Sequence, residues 1–90
     1  MGTALLKIKI MPESPQVDLA QIEKEAKKII EQEKGQNPRF EKEPIAFGLT
    51  ALIAAFAMDE SLSTDVFENG LRTIKHVNSA EIIDFRRAFG

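Results

Sequence analysis

The first stretch of the chain alternates apolar and polar side chains. Between residues 3 and 11, Leu6, Ile8 and Ile10 share one face of an extended chain, and lysines interrupt the other face. A period of two predicts a β-strand with one buried face. Pro12 then ends this strand, because proline lacks a backbone donor and restricts the residue before it.

The next stretch changes to a helical period. Its apolar residues recur at spacings of three and four, which predicts an amphipathic helix with one buried stripe. We expect Asp18 to cap its start, with Ser14 as the alternative, and Gly35 to end it in a left-handed conformation. The outer face mixes lysine and glutamate and is interpreted as an ordinary solvated surface. The stripe consists of Leu19, Ile22, Ala26, Ile29 and Ile30.

Two further strands are predicted on either side of a turn. Residues 39–45 are charged and finish near Pro44, which is typical of a strand at the edge of a sheet. Residues 48–58 contain the most apolar run of the chain and predict a central strand that is buried on both faces. The turn between these strands places Phe47 directly before Gly48.

The last part of the chain predicts a second helix and a fourth strand. Ser63 or Thr64 is expected to begin the helix. Gly70 lies inside the helix at a cost of up to about 1 kcal/mol relative to alanine, which predicts close approach to the sheet. The strand is expected over residues 79–85, with residues 86–90 as its continuation or its frayed end. The buried stripe of the helix is predicted to be Val66, Phe67, Leu71 and Ile74.

This order of elements predicts an α+β fold of the ferredoxin-like class, the split βαβ arrangement (βαββαβ). Such a fold has a four-stranded antiparallel sheet with two helices on one face. Right-handed crossovers place the first and third strands in the centre. The Phe47 turn and the end of the last strand then lie at opposite ends of the sheet, about 25 Å apart. Two exposed contacts at that separation can straddle two domains of a partner.

Length and composition limit the classes of protein that remain. With 90 residues, the chain is expected to form a single domain spanning residues 1–90. The net charge is −2 with both signs interleaved, which argues against direct binding of nucleic acid or an anionic membrane. No apolar run approaches the roughly 20 residues of a membrane helix, and the first residues do not match a secretory signal. We therefore expect a cytoplasmic protein.

Catalytic chemistry finds little support in the residue types. The chain has no cysteine and one histidine, His76, which is interpreted as a residue facing the dipole at a helix end. No phosphate-binding glycine loop and no metal-ligand pattern occurs, so neither a cofactor nor a metal is expected. RNA-binding sheets of this topology display aromatic side chains, whereas Phe56 is the one aromatic here on the two central strands and is assigned to the core.

Two features remain as candidate contact points, each with a plain structural alternative. Phe47 is either a lid folded over the end of the sheet or an anchor for a partner protein. The pair Arg86 and Arg87 is either a solubilising tail or a second contact. The residue pattern alone leaves both questions open.

Several stretches of the chain resemble one known family. EPIAFGLTAL at residues 43–52, IMPESP at 10–15 with VDL at 17–19, and DFRR at 84–87 are similar to the archaeal elongation factor 1-beta family. The resemblance spans essentially the whole chain, and EPIAFGL and MPESP together make it specific. The family corresponds to the C-terminal exchange domain of the eukaryotic factor without its N-terminal extension.

The resemblance implies guanine nucleotide exchange during translation elongation, a step of protein biosynthesis. The implied partner is the GDP form of elongation factor 1-alpha, a GTPase, and the implied action is GDP release by binding, without enzymatic chemistry. In the family the Phe-Gly turn docks on a second domain of the GTPase, which carries over to Phe47 with its neighbours Ile45 and Gly48. A basic residue near the C-terminus reaches toward magnesium and phosphate, which carries over to Arg87, with Arg86 as the neighbouring candidate. The alternative is a small-molecule-binding or self-associating regulatory module of the same topology.

Overall fold

The computed structural model describes residues 2–88, and these form a sheet with two helices on one face. Phe89 and Gly90 of the predicted tail lie outside the described residues. The elements in chain order are β1 (Thr3–Pro12), α1 (Leu19–Gln32), β2 (Gln36–Pro44), β3 (Thr50–Asp59), α2 (Asp65–Arg72) and β4 (Val77–Ala88). The strands in this range are antiparallel and lie in the order β2-β3-β1-β4, which confirms the ferredoxin-like α+β prediction.

Within the sheet, the two central strands β1 and β3 contribute most of the buried core residues, as their apolar content predicted. In β1 the side chains facing the helices are fully buried, and lysines lie between them on the open face. In β3 the burial extends to both faces, because Ala51 and Ile53 are buried on the open side as well. Phe56 of β3 contacts Phe67 of α2, with ring centroids 4.7 Å apart, which confirms its assignment to the core.

The register of the strands sets which features share an end of the sheet. Ile10 of β1 lies opposite Leu52, close to the β2–β3 turn, whereas Ala4 lies opposite Arg87 of β4. The turn and the end of β4 are therefore at opposite ends, as predicted. The strand β3 has 10 residues, which at about 3.3 Å per residue separates the two ends by about 30 Å. This separation is somewhat larger than the expected distance of about 25 Å, because β3 is longer than the strand assumed for that estimate.

A bulge in β4 changes the alternation expected from the sequence. Ile8 pairs with Ile82, but the next β1 residue, Lys7, pairs with Asp84, so Ile83 is an extra residue without a partner. Because side chains alternate in a strand, one extra residue exchanges the two faces for the rest of β4. Phe85 consequently lies on the helix face, and Asp84 lies on the open face.

The ends of α1 follow one prediction and correct another. Asp18 is the N-cap, as expected, and its carboxylate accepts a hydrogen bond of 3.0 Å from the Ala20 N–H. At the other end Lys34, not Gly35, takes the left-handed conformation, with φ of 71°. The N–H groups of Lys34 and Gly35 donate to the carbonyls of Glu31 and Ile30, which is the hydrogen-bond pattern of a Schellman motif.

Gly35 is required by packing. A Cβ atom there would collide with Cγ2 of Ile30 and lie 3.0 Å from Cδ2 of Phe56. Since Ile30 and Phe56 are both buried, neither side chain has free space into which it can move. The glycine therefore lets the chain pass close over the core between α1 and β2.

The second helix also differs from expectation in detail. Thr64 is its N-cap residue, and the Ser63 hydroxyl accepts the hydrogen bond from the Asp65 N–H at 3.2 Å. Phe67 and Leu71 are buried as predicted, but Val66 is exposed, because it lies on the outer side of the first turn. Gly70 approaches Ile29 of α1 and not the sheet: an added Cβ would lie 2.7 Å from Ile29 Cγ2.

These two glycines predict different costs for the same substitution. Gly35→Ala is expected to lower the free energy of unfolding by about 1–3 kcal/mol, the usual cost of overpacking a core. Gly70→Ala is the matched control. Its clash involves the branch methyl of a partly exposed isoleucine side chain, and the helix gains up to about 1 kcal/mol of propensity, which offsets part of the cost.

Urea denaturation of both variants measures the loss of stability, which we expect to be larger for Gly35→Ala than for Gly70→Ala. Equal midpoints for Gly35→Ala and the parent protein would contradict the packing interpretation.

Candidate functional site

The first candidate contact point is the Phe47 turn, defined as residues 45–49. The Leu49 N–H donates to the Ala46 carbonyl at 2.9 Å, and the Ile45 N–H donates to the Leu49 carbonyl at 2.9 Å. Phe47 and Gly48 are the central residues, with φ of 55° and 79°. Two positive φ values are typical of a type I′ turn, which matches the twist of the strands it joins.

The Phe47 side chain projects into solvent. It is 97% exposed, so the interpretation of this residue as a lid over the core is wrong. A bulky residue in the left-handed region is a rare and strained conformation, and here the turn hydrogen bonds and the flanking strand pairs hold it. Ile45 in the same turn is also exposed. The turn therefore presents two apolar side chains to water at one end of the sheet.

The second candidate contact point is the last part of β4, where Arg86 and Arg87 point to opposite faces of the sheet. Arg87 lies opposite Ala4, whose side chain is buried on the helix face, and Arg86 lies opposite Leu5 on the open face. Both arginines belong to the paired strand β4, so this segment continues the strand and does not fray before Ala88. The bulge at Ile83 produces this arrangement; without it the two arginines would exchange faces.

Each arginine has its own carboxylate. The Nε atom of Arg86 lies 3.2 Å from Oδ2 of Asp84, and the Nε atom of Arg87 lies 3.5 Å from Oε2 of Glu60. Both guanidinium groups remain largely exposed, so these ion pairs add little to stability. The main effect of these ion pairs is on the orientation of the two guanidinium groups.

Glu60 follows β3 in a tight turn that Asp59 organises. The Asp59 carboxylate accepts hydrogen bonds of 2.9 Å from both the N–H and the hydroxyl of Ser61, and the Leu62 N–H donates to the Asp59 carbonyl at 3.0 Å. The hydrogen bond from the Ser61 N–H, followed by that from its hydroxyl, lowers the pKa of Asp59. The sequence indicated a capped polar connection here, but nothing in it indicated that Glu60 contacts Arg87, because the contact depends on the register of distant strands.

His76 is not at a helix end, so its interpretation as a dipole-facing residue is wrong. The helix α2 ends at Arg72, and His76 lies in the turn before β4 with φ of 71°. Its Nδ1 atom lies 3.3 Å from Oε1 of Glu13, and the Glu13 N–H donates to the His76 carbonyl at 2.9 Å. The residue joins this turn to the loop after β1.

The open face of the sheet carries a shallow groove of about 450 Å³. Its floor includes Leu5, Ala55 and Ala57, and Arg39 and Arg86 stand at its sides. On the described parts of β1 and β3, no aromatic side chain faces this groove, so the stacking platform of RNA-binding sheets is not present there.

Residues 2–88 contain neither a metal-binding cluster nor a membrane-spanning helix. In that range no group of three His, Cys, Asp or Glu side chains is arranged to hold one metal ion. Neither described helix has the length and apolar character needed to cross a membrane.

The fold and the exposed residues define a small α+β sandwich with an aromatic at one end of its sheet and an arginine at the other. Comparison with known proteins identifies this class more closely. A sequence model described as the EF-1 guanine nucleotide exchange domain matches residues 5–88. The chain belongs to this family of translation elongation exchange factors.

Several archaeal relatives agree with the family match, and each is named elongation factor 1-beta. The protein from Methanothermobacter thermautotrophicus is 40% identical over 88 residues, covering 97% of this chain and 98% of the relative. The protein from Methanocaldococcus jannaschii is 36% identical, with coverage of 93% and 96%. The protein from Nanoarchaeum equitans is 38% identical and covers 90% of this chain and 100% of the relative. The similarity therefore extends over both ends of the sheet.

The Asp59 turn gives a prediction for pH. Because the Ser61 donors favour the carboxylate, the pKa of Asp59 is expected to lie below its ordinary value of 3.8. The contribution of these hydrogen bonds is present above that ordinary value and is lost as the pH falls through the lower folded-state pKa. NMR titration of the Asp59 carboxyl carbon measures this midpoint.

Ser61→Ala provides the control for this titration. It removes the hydroxyl donor and keeps the backbone donor, so the pKa of Asp59 should rise part of the way toward its ordinary value. The same titration in urea, where the turn is absent, supplies the reference. A folded-state midpoint equal to the urea midpoint would show that the hydrogen bonds do not hold the carboxylate.

Proposed function

We propose that this protein is the guanine nucleotide exchange factor for elongation factor 1-alpha. It binds the GDP form of that GTPase and promotes GDP release, so that GTP can follow. The observation that carries the proposal is that one sheet presents two exposed side chains at its opposite ends, Phe47 at 97% exposure and Arg87 about 30 Å away. The chain that presents them belongs to the exchange family. No covalent step is required, and the 90 residues act as one domain in the cytoplasm, without a cofactor and without direct contact to nucleic acid.

The Phe47 turn supplies docking in this proposal. An exposed aromatic ring gains much from transfer into an apolar pocket and loses little entropy, since few torsions must be fixed. The turn hydrogen bonds hold the ring in place before binding, which lowers the cost of ordering it. Gly48 permits the second positive φ of the turn, and Ile45 widens the apolar contact.

Arg87 supplies the action on the nucleotide site. A guanidinium is always charged and binds carboxylate or phosphate oxygens, so it can compete with magnesium for the oxygens around GDP. The family resemblance assigns this role to Arg87, with Arg86 as the neighbouring candidate. The two differ in position, because Arg87 lies on the helix face beside Glu60 and Arg86 lies on the open face beside Asp84. A charge interaction of this kind strengthens when the partner excludes water from it.

The exchange itself follows from linkage. If the complex stabilises a GTPase state in which magnesium and phosphate contacts are disturbed, the factor and GDP weaken each other's binding by the same ratio. The binding free energy from the Phe47 end then supports the disturbance at the Arg87 end. The two residues therefore have separate effects that can be measured separately.

Phe47→Ala is expected to weaken the complex. Loss of an interface aromatic commonly costs about 2 kcal/mol or more, which corresponds to a roughly 30-fold or greater rise in Kd. Because the ring is 97% exposed in the free protein, its removal should leave the unfolding midpoint unchanged or slightly raised. Titration calorimetry with elongation factor 1-alpha and GDP measures the Kd, and Val66→Ala, another exposed apolar residue, is the control.

Arg87→Ala is expected to leave most of the binding and to slow GDP release. A reduction of about 5- to 150-fold corresponds to ordinary coupling free energies between two sites. Fluorescent-GDP release at saturating factor measures the rate, and Arg86→Ala is the matched control on the neighbouring residue. An unchanged release rate for Arg87→Ala, together with an unchanged Kd for Phe47→Ala, would remove the site assignment. Failure of the parent protein to accelerate release at all would remove the proposed function.

A further inference from the structure

Glu60 and Arg87 meet at one end of the sheet although they are far apart in the sequence. The contact joins Oε2 of Glu60 to Nε of Arg87 at 3.5 Å. A contact through Nε occupies one edge of the planar guanidinium and leaves the edge formed by Nη1 and Nη2 for another anion. Glu60 can therefore keep its contact while Arg87 binds a second oxygen group.

Of the two side chains, Glu60 is the better fixed. Its backbone N–H donates to the Gly2 carbonyl at 3.0 Å, and Glu60 lies within the turn that the Asp59 hydrogen bonds hold. Its carboxyl group also lies over Gly2, so close that a Cβ atom on Gly2 would be 2.7 Å from Glu60 Cδ. The Glu60 side chain is 33% exposed, whereas that of Arg87 is 78% exposed.

Because Glu60 is the less exposed of the two, it restricts the Arg87 side chain more than Arg87 restricts it. A free arginine side chain samples many rotamers, and fixing it in a complex costs conformational entropy. A fixed carboxylate at Nε restricts those rotamers before the complex forms. The pair is exposed and stabilises the fold little, so restricting Arg87 is the larger part of its effect.

We propose that Glu60 is a positioning residue, which orients the Arg87 guanidinium toward the anionic oxygens of the partner's nucleotide site. The inference rests on the proposed function, since it needs Arg87 to act on GDP release. Glu60 touches neither the nucleotide nor the magnesium in this role. It acts through Arg87 alone, and this condition makes the proposal testable.

The main test measures GDP release from elongation factor 1-alpha as a function of factor concentration. We expect Glu60→Ala to lower the maximal rate about two- to fivefold, the range supported by an exposed ion pair, with the half-saturating concentration unchanged. Glu60→Gln keeps an oxygen acceptor for Nε and should recover part of the rate. Asp84→Ala removes the matched carboxylate beside Arg86 and should leave the maximal rate unchanged.

A second variant displaces the carboxylate without removing it. Gly2→Ala places a Cβ atom where the Glu60 carboxyl now lies, and the end of that flexible side chain must move away. The maximal rate should then fall as it does for Glu60→Ala. Circular dichroism and thermal melting of each variant check that the fold is kept, and a change of no more than about 4 °C is expected.

The double variant Glu60→Ala/Arg87→Ala decides whether Glu60 acts through Arg87. If Glu60 acts through Arg87, GDP release with the double variant is as fast as with Arg87→Ala alone, because Arg87→Ala has already removed the contact between the two residues. An equal further loss in the Arg87→Ala background would overturn the inference, since Glu60 would then act independently. An unchanged or faster maximal rate for Glu60→Ala alone would also overturn it, and a faster rate would mean that Glu60 masks Arg87. In each of these cases a slow Arg87→Ala variant still supports the proposed function.

Discussion

The pairing of β1 with a strand on each side is the interaction on which the rest of the molecule depends. Its residues Leu6, Ile8 and Ile10 have 0% exposure beneath the helices, so a shift of one residue would exchange the buried face for the lysine face. The free-energy difference between these registers is large, and it holds β3 and β4 in place together. The positions of both ends of the sheet follow from this one register.

A sheet held in this way acts as a rigid spacer between its two ends. The Phe47 turn is attached through β2 and β3, and Arg87 through β4, so neither end can move far without breaking pairs to the centre. The strained Phe47 backbone persists for the same reason, because the strand pairs determine the turn. Under the proposed function, such rigidity would let a contact at the Phe47 end support a disturbance at the Arg87 end.

Much of the architecture follows from local patterns that the residues carry by themselves. The period of two around Ile8, the helical period around Ile22 and the apolar run of β3 predicted three elements and the central position of two strands. The carboxylate of Asp18 predicted the start of α1. These features depend on backbone periodicity and on hydrogen bonds between near neighbours, which a sequence displays directly. The turn at Phe47 was visible for the same reason, although the exposure of its ring was not.

The sequence alone determined the order of the elements, the core stripe of α1 and the apolar turn with its phenylalanine, because each depends on residues a few positions apart. Only the tertiary structure decided that Ile83 forms a bulge, that Arg87 shares the helix face with Ala4, and that Glu60 reaches Arg87. It also decided that Gly35 is needed by the core and not by a left-handed φ. These features arise where distant segments meet, and the spacing between such segments is set by packing over the whole sheet.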